Sequence, residues 1–134
     1  MNEFEPRLYL IGRSDIPQMN AGKLAAQCAH AANEFEYNDI VIPCELVNAV
    51  DAIVRKWRDD RAFGTTITLI GTDVEIRALT ANKCMSGYVH DPSYPMYNAM
   101  SERFTAPMDT VGWIFPVNEL EFRHIRESGL ELYP

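Results

Sequence analysis

Short apolar runs alternate along the chain with stretches of helical periodicity. The run 7–12 ends in glycine, which predicts a buried strand that leads into a turn. In the next segment the apolar side chains recur at intervals of four, three and four residues, at Leu24, Cys28, Ala31 and Phe35. This spacing predicts an amphipathic helix that packs against the strand, with Asn20 as its N-cap.

The remaining segments continue this alternation. We predict further helices over residues 46–57, 73–85 and 117–128, and further strands over residues 65–70, 88–90 and 110–115. Strands that alternate with helices and are joined by short crossovers predict an α/β fold. Specifically, we expect a three-layer α/β/α sandwich with a mixed, mostly parallel four-stranded sheet, formed by residues 1–134 as a single domain.

Composition narrows the class of protein. Hydrophobic residues make up 47% of the 134 residues, without an apolar stretch long enough to cross a membrane. The acidic start lacks the basic region of a signal peptide, so we expect a cytoplasmic protein. Three widely spaced cysteines, Cys28, Cys44 and Cys84, argue against a disulfide framework or a zinc site.

A polar stripe lies beside the apolar stripe of the first predicted helix. It consists of Lys23, Gln27, His30 and Glu34. Lys23 falls in the first helical turn, where unpaired N–H groups and the helix dipole already favour an anion or a developing oxyanion. The alternatives are a solvated lysine, a glutamine that bridges backbone groups of the preceding turn, and a packed histidine.

The segment R-S-D-I…G-K-L-A-A-Q-C-A-H-A-A resembles the signature of the type 2 peptidyl-tRNA hydrolases. The matching residues are Arg13, Asp15, Met19, Gly22, Lys23, Ala25, Ala26, Gln27, His30 and Ala31. This resemblance implies hydrolysis of the ester between peptide and tRNA, with peptidyl-tRNA as the partner and no metal or other cofactor. It also suggests a homodimer. The apolar tail 130–133 is compatible either with pairing between two copies or with a buried C-terminal strand.

The resemblance also implies the residues of the site. An aspartate after the third strand acts with the helix lysine in this family, and Asp91 holds that position, although the family's following G-R-T-Q is replaced. We therefore expect Asp91 to position or deprotonate a water, Lys23 to stabilise the oxyanion, and Gln27 to orient one of them. Substrate contacts are expected at Arg13, Gly22, His30, Tyr94 and Thr110. Without the resemblance, the sequence favours a turn-forming acid before proline at Asp91.

About twenty residues separate Asp91 from the next strand, more than in the family that the chain resembles, so the resemblance implies an inserted loop over 92–109 that could act as a lid. The loop carries Tyr94, Tyr97 and Phe104. These aromatic side chains either stack on a terminal adenine or pack the loop onto the sheet.

The net charge of −7 disfavours strong binding to RNA. The basic group Arg55, Lys56, Arg58 and Arg61 is either a phosphate contact or a helix end paired with nearby acids. A second hypothesis is therefore a catalytically silent domain of the same fold that binds a protein or a small ligand in the groove. A flavodoxin-like nucleotide binder is disfavoured because the chain has no phosphate loop.

Overall fold

The computed structural model describes residues 5–37, 47–60 and 64–134. The elements in chain order are β1 (Leu8–Arg13), α1 (Ala21–Tyr37), α2 (Val47–Asp60), β2 (Thr66–Gly71), α3 (Asp73–Thr80), β3 (Ser86–Tyr97), β4 (Arg103–Ile114) and α4 (Glu119–Glu127). The helix predicted over 73–85 ends early, at Thr80, and Asn82 just beyond it has a φ of 60°. Among the described helices, none is both long and apolar enough to span a membrane.

The four strands form one sheet in the order β2-β1-β4-β3. The predicted α/β class and the mixed four-stranded sheet are confirmed. The expectation of mostly parallel pairing is wrong, because β1 and β2 are parallel whereas the β1–β4 and β4–β3 pairs are antiparallel. The reason is that β3 and β4 are joined by a tight turn rather than by a helical crossover, and a tight turn reverses the chain.

Helices cover both faces of the sheet, which gives the three layers predicted. On one face, α1 and α2 pack over an aromatic group in which the Phe35 ring lies 5.3–5.6 Å from the rings of Trp57, Trp113 and Phe115. On the other face, α3 and α4 bury Ile76 and Ile125 against the sheet. Two apolar layers thus hold the sheet rigidly between the helices.

The segment predicted to be a lid is instead a long β-hairpin. β3 and β4 are each 12 residues long and pair from Ser86–Ile114 out to Tyr97–Arg103, so the expectation of a loop over 92–109 is wrong. Asp91 consequently lies within β3 rather than at its end. Prolines are tolerated here because β3 is an edge strand, and because this part of β4 extends beyond its pairing with β1.

The C-terminal tail pairs with the outer edge of β2. Ile70 N donates to Glu131 O at 2.9 Å, and Tyr133 N donates to Thr68 O at 2.9 Å. Leu69 and Leu132 form an antiparallel bridge between them. The tail therefore pairs with this edge within one chain, but it is not a buried C-terminal strand, because Leu132 is 69% exposed.

The described basic residues of α2 form salt bridges with nearby acids. Arg55 binds Asp51 and Lys56 binds Asp60, both at 3.1 Å. Arg58 also pairs with Glu36 of α1. Arg61 and Cys44 lie outside the described residues. Pairing with neighbouring acids is therefore the arrangement of the described members of this group.

Candidate active site

The N-terminus of α1 is fixed by its cap and by a glycine on β1. Asn20 is the N-cap, as predicted: its Oδ1 accepts from Lys23 N at 2.9 Å and its carbonyl oxygen accepts from Leu24 N at 2.8 Å. A Cβ on Gly12 would lie 2.8 Å from Leu24 Cδ1 and 2.9 Å from Tyr133 Cε2. Glycine at this position therefore lets the first turn of α1 lie close to β1, which sets the position of Lys23.

Gln27 links a buried threonine to an aspartate. Thr110 Oγ1 donates to Gln27 Oε1 at 2.7 Å, and Gln27 Nε2 donates to Asp91 Oδ2 at 2.7 Å. Gln27 is only 4% exposed and Thr110 is fully buried. The other carboxylate oxygen, Asp91 Oδ1, accepts from Ser93 N at 2.8 Å. Both oxygens of Asp91 are thus held by donors, so the orientation of this half-buried carboxylate is fixed.

Lys23 lies one helical turn before Gln27 on the same side of α1. Its Nζ donates to Pro95 O at 2.8 Å and lies 5.1 Å from the centre of the Tyr94 ring. The Tyr94 ring is fully buried, and burial is the main cause that raises the pKa of its hydroxyl. The face of the Tyr94 ring stabilises the Lys23 ammonium group by a cation–π interaction.

Lys23 and Asp91 both lie in the contact between α1 and β3. We call this contact the α1–β3 seam and define it by Lys23, Gln27, Asp91, Tyr94 and Pro95. Along the helix, the lysine and the glutamine are one turn apart, about 5.4 Å. Along the strand, the residues that they contact, Pro95 and Asp91, are also four residues apart. The seam thus places a cation and a carboxylate along the same contact between α1 and the edge strand.

A residue that the sequence reasoning missed fixes the outer part of the hairpin. Gln18 Nε2 donates to Tyr97 O and Tyr97 N donates to Gln18 Oε1, both at 2.7 Å. The side-chain amide of Gln18 thus takes the place of a neighbouring strand at this edge. Gln18 has a φ of 63°, unusual for a residue other than glycine, and no sequence pattern indicates it.

Arg13 takes part in an ion network on the α3 side rather than in the seam. Its Nε donates to Asp15 Oδ1 at 2.8 Å and its Nη1 donates to Asp109 O at 3.0 Å. The hydrogen bond from Arg13 lowers the pKa of the Asp15 carboxyl. Arg13 thereby connects the end of β1 to the strand that carries Thr110.

The same network continues across α3 and β3. Arg77 pairs with both Asp73 and Asp109, and His90 Nδ1 lies 2.8 Å from Asp109 Oδ1. Hydrogen bonds from Arg77 and from the Tyr88 hydroxyl lower the pKa of Asp73. His90 and Asp109 immediately precede Asp91 and Thr110 in the chain. The network therefore holds, from the other face of the sheet, the two strand segments that carry the seam's polar groups.

Two predicted substrate residues lie on the exposed surface of α1. Gly22 is in the first turn, and the nearest atom to a Cβ added there is Asn20 Oδ1 at 3.5 Å. His30 is exposed three residues beyond Gln27. The structure thus brings Lys23, Gln27, Asp91, Tyr94 and Thr110 together, leaves Gly22 and His30 exposed on α1, and places Arg13 in the ion network on the α3 side.

The geometry defines a layered α/β domain whose polar site lies between the N-terminal half of one helix and an edge hairpin. The model of the peptidyl-tRNA hydrolase PTH2 family matches residues 7–126, from just before β1 into α4. The chain therefore belongs to this family, as the resemblance in the first helix indicated. A comparison with individually characterised proteins gave no match.

Proposed function

We propose that this chain hydrolyses the ester bond between the peptide and the tRNA in peptidyl-tRNA, which releases the tRNA for reuse. The family supports this class of reaction. The observation that carries the proposal is the contact between Gln27 and Asp91, since it holds the carboxylate beside the helix that bears Lys23.

Asp91 is the proposed general base. It takes a proton from a water molecule while the water oxygen attacks the carbonyl carbon of the ester. The donors on its two oxygens, Gln27 Nε2 and Ser93 N, leave the remaining lone pairs in fixed directions. A base with a fixed orientation loses less entropy when the water is positioned for attack.

Lys23 is the proposed stabiliser of the tetrahedral oxyanion. An ammonium group has three donors, and the bond to Pro95 O sets the direction of one of them. The positive end of the α1 dipole adds to the charge of Lys23 at the same place. When the intermediate collapses, the bond to the ribose 3′ oxygen breaks, and this oxygen takes the proton held by Asp91.

The five proposed substrate-binding residues would act in three different ways. Gly22 and His30 are exposed on α1 and can touch the substrate directly. Thr110 and Tyr94 are buried, so we propose that they act through Gln27 and Lys23. Arg13 would act chiefly by holding β1 and β4 in place.

The test is release of labelled peptide from peptidyl-tRNA by the wild type and by Lys23→Ala and Asp91→Asn. We expect each variant to lose on the order of 10²- to 10³-fold in kcat, which is typical of removing a general base or an oxyanion donor. The matched controls are Lys56→Ala and Asp60→Asn, which break an exposed ion pair on α2 and should stay within about twofold. Wild-type turnover in both seam variants would remove these residues from the mechanism.

The second hypothesis, a catalytically silent domain that binds a partner, is supported by the sequence after Asp91 and by the ion pairs of α2. The family's G-R-T-Q is absent after Asp91, and the described basic residues of α2 are paired with acids. Titration with tRNA at two salt concentrations separates the two functions. A hydrolase should bind tRNA at low salt and lose affinity as salt rises, whereas a chain with neither binding nor peptide release would be a partner-binding domain.

Two further predictions accompany the hydrolase proposal. We expect the chain to act in the cytoplasm, because translation produces its substrate there. We also expect a homodimer, which light scattering of the purified protein would test.

A further inference from the structure

The chemistry of the proposed reaction limits where the terminal base of the tRNA can lie. This inference rests on the proposed function. The scissile ester is attached to the ribose of the 3′-terminal nucleotide, and the base is attached to that same ribose. If Lys23 binds the oxyanion, the base must therefore lie about one sugar ring away from the seam.

The pairing of the hairpin shows which side chains share the face of Lys23. Tyr94 pairs with Ala106, and Met96 pairs with Phe104. Because alternate residues of a strand point to the same face, Met96 and Phe104 lie on the face of Tyr94, against whose ring Lys23 rests. Tyr97 pairs with Arg103 and lies on the opposite face.

This register separates the three aromatic residues that the sequence left undecided. Tyr94 is fully buried beneath Lys23, so its ring cannot receive a base. Tyr97 is 52% exposed but faces away from the seam. Phe104 is 42% exposed on the correct face, and as a diagonal cross-strand neighbour it lies about 7–8 Å from Tyr94.

We propose that the 3′-terminal adenine of the tRNA stacks on Phe104, with Met96 beside it. Stacking on an aromatic side chain needs no positive charge, which suits a chain with a net charge of −7. The two hydrogen bonds between Gln18 and the main chain of Tyr97 fix this part of the hairpin before the substrate arrives. A fixed platform avoids the entropy that a mobile loop would lose on binding.

The test combines a binding signal with steady-state kinetics. The binding probe is a short single-stranded RNA that ends in C-C-2-aminopurine, whose fluorescence falls when the terminal base stacks. We expect the wild type and Phe104→Tyr to quench this signal, and Phe104→Ala and Phe104→Leu to lose the quenching. With peptidyl-tRNA, Phe104→Ala should raise KM on the order of tenfold and change kcat by about twofold or less.

Tyr97→Ala is the matched control, because it removes an exposed ring from the other face of the same hairpin and leaves the main-chain bonds to Gln18 intact. It should quench and hydrolyse like the wild type. The proposal is overturned if Phe104→Ala quenches and binds substrate like the wild type, or if Tyr97→Ala is equally impaired. If the wild type shows Phe104-dependent quenching but releases no peptide, the hydrolase function fails and the base-stacking site remains.

Discussion

A buried chain of hydrogen bonds, here called the relay, runs from Thr110 through Gln27 to Asp91, and a substitution at Thr110 tests it. The variant Thr110→Val keeps the shape of the side chain but removes the hydroxyl that donates to Gln27 Oε1 at 2.7 Å. Because Thr110 is fully buried and Gln27 is 4% exposed, water cannot readily replace the lost donor. An unsatisfied buried acceptor costs about 1–3 kcal/mol, so the free energy of unfolding should fall by that amount.

The assay is equilibrium unfolding in urea. With a slope of about 2 kcal/mol/M, the midpoint should fall by about 0.5–1.5 M without a change in slope. The double variant Gln27→Leu with Thr110→Val removes both partners, so its loss of stability should be smaller than the sum of the two single losses. Peptide release should also slow in Thr110→Val, because the amide that orients Asp91 is no longer held in place.

Thr105→Val is the control for the threonine substitution itself. Thr105 is exposed on the same strand, so this variant should change the unfolding free energy by no more than about 0.5 kcal/mol. A midpoint for Thr110→Val equal to that of the control would refute the relay as a source of stability. Additive losses in the double variant would show that Thr110 and Gln27 do not act together.

Two other predictions concern the framework of the site. Gly12→Ala places a methyl group within 3 Å of Leu24 and Tyr133, so it should destabilise the fold by about 1–3 kcal/mol in the same urea assay; an unchanged midpoint would show that α1 does not need this close approach. The pKa of Asp73 is lowered by hydrogen bonds from Arg77 and Tyr88, so its ionised form stabilises the fold above about pH 4 and this contribution is lost as the pH falls through the lowered pKa. Urea midpoints of the wild type and Asp73→Asn should therefore differ at pH 7 and converge below about pH 4, and a constant difference would contradict this linkage.

The helix half of the site could be predicted from the sequence. The four-residue spacing of Lys23 and Gln27 places them on one side of a helix, and Asn20 is a strong N-cap residue. These are local rules that depend on a few neighbouring residues. For the same reason the start of α1 and the bounds of β1 lie within one residue of the sequence-based prediction.

The hairpin half could not be predicted, because its pattern is interrupted. Pro92, Pro95 and Pro107 remove backbone donors, and register shifts near Asp91 break the alternation of a regular strand. The sequence therefore indicates a loop. Only the fold shows that these prolines lie on an edge strand or on the part of β4 that extends beyond its pairing with β1.

Contacts between side chains of distant segments could not be predicted from the sequence either. Nothing in the pattern around Gln18 indicates that its amide binds Tyr97, 79 residues away. Likewise, the resemblance implies that Thr110 contacts the substrate, and only the structure shows its hydroxyl bound to Gln27. Such contacts follow from tertiary packing, which a local pattern does not encode.

The claim on which the function depends is that Lys23 and Asp91 act on the same reacting group. A double-mutant cycle on kcat/KM for peptidyl-tRNA, with Lys23→Ala, Asp91→Asn and the combined variant, measures this most directly. If the two residues act as one unit, the combined variant should be about as impaired as the worse single variant. Losses that multiply would show that the residues act independently, and would contradict a shared hydrolytic centre.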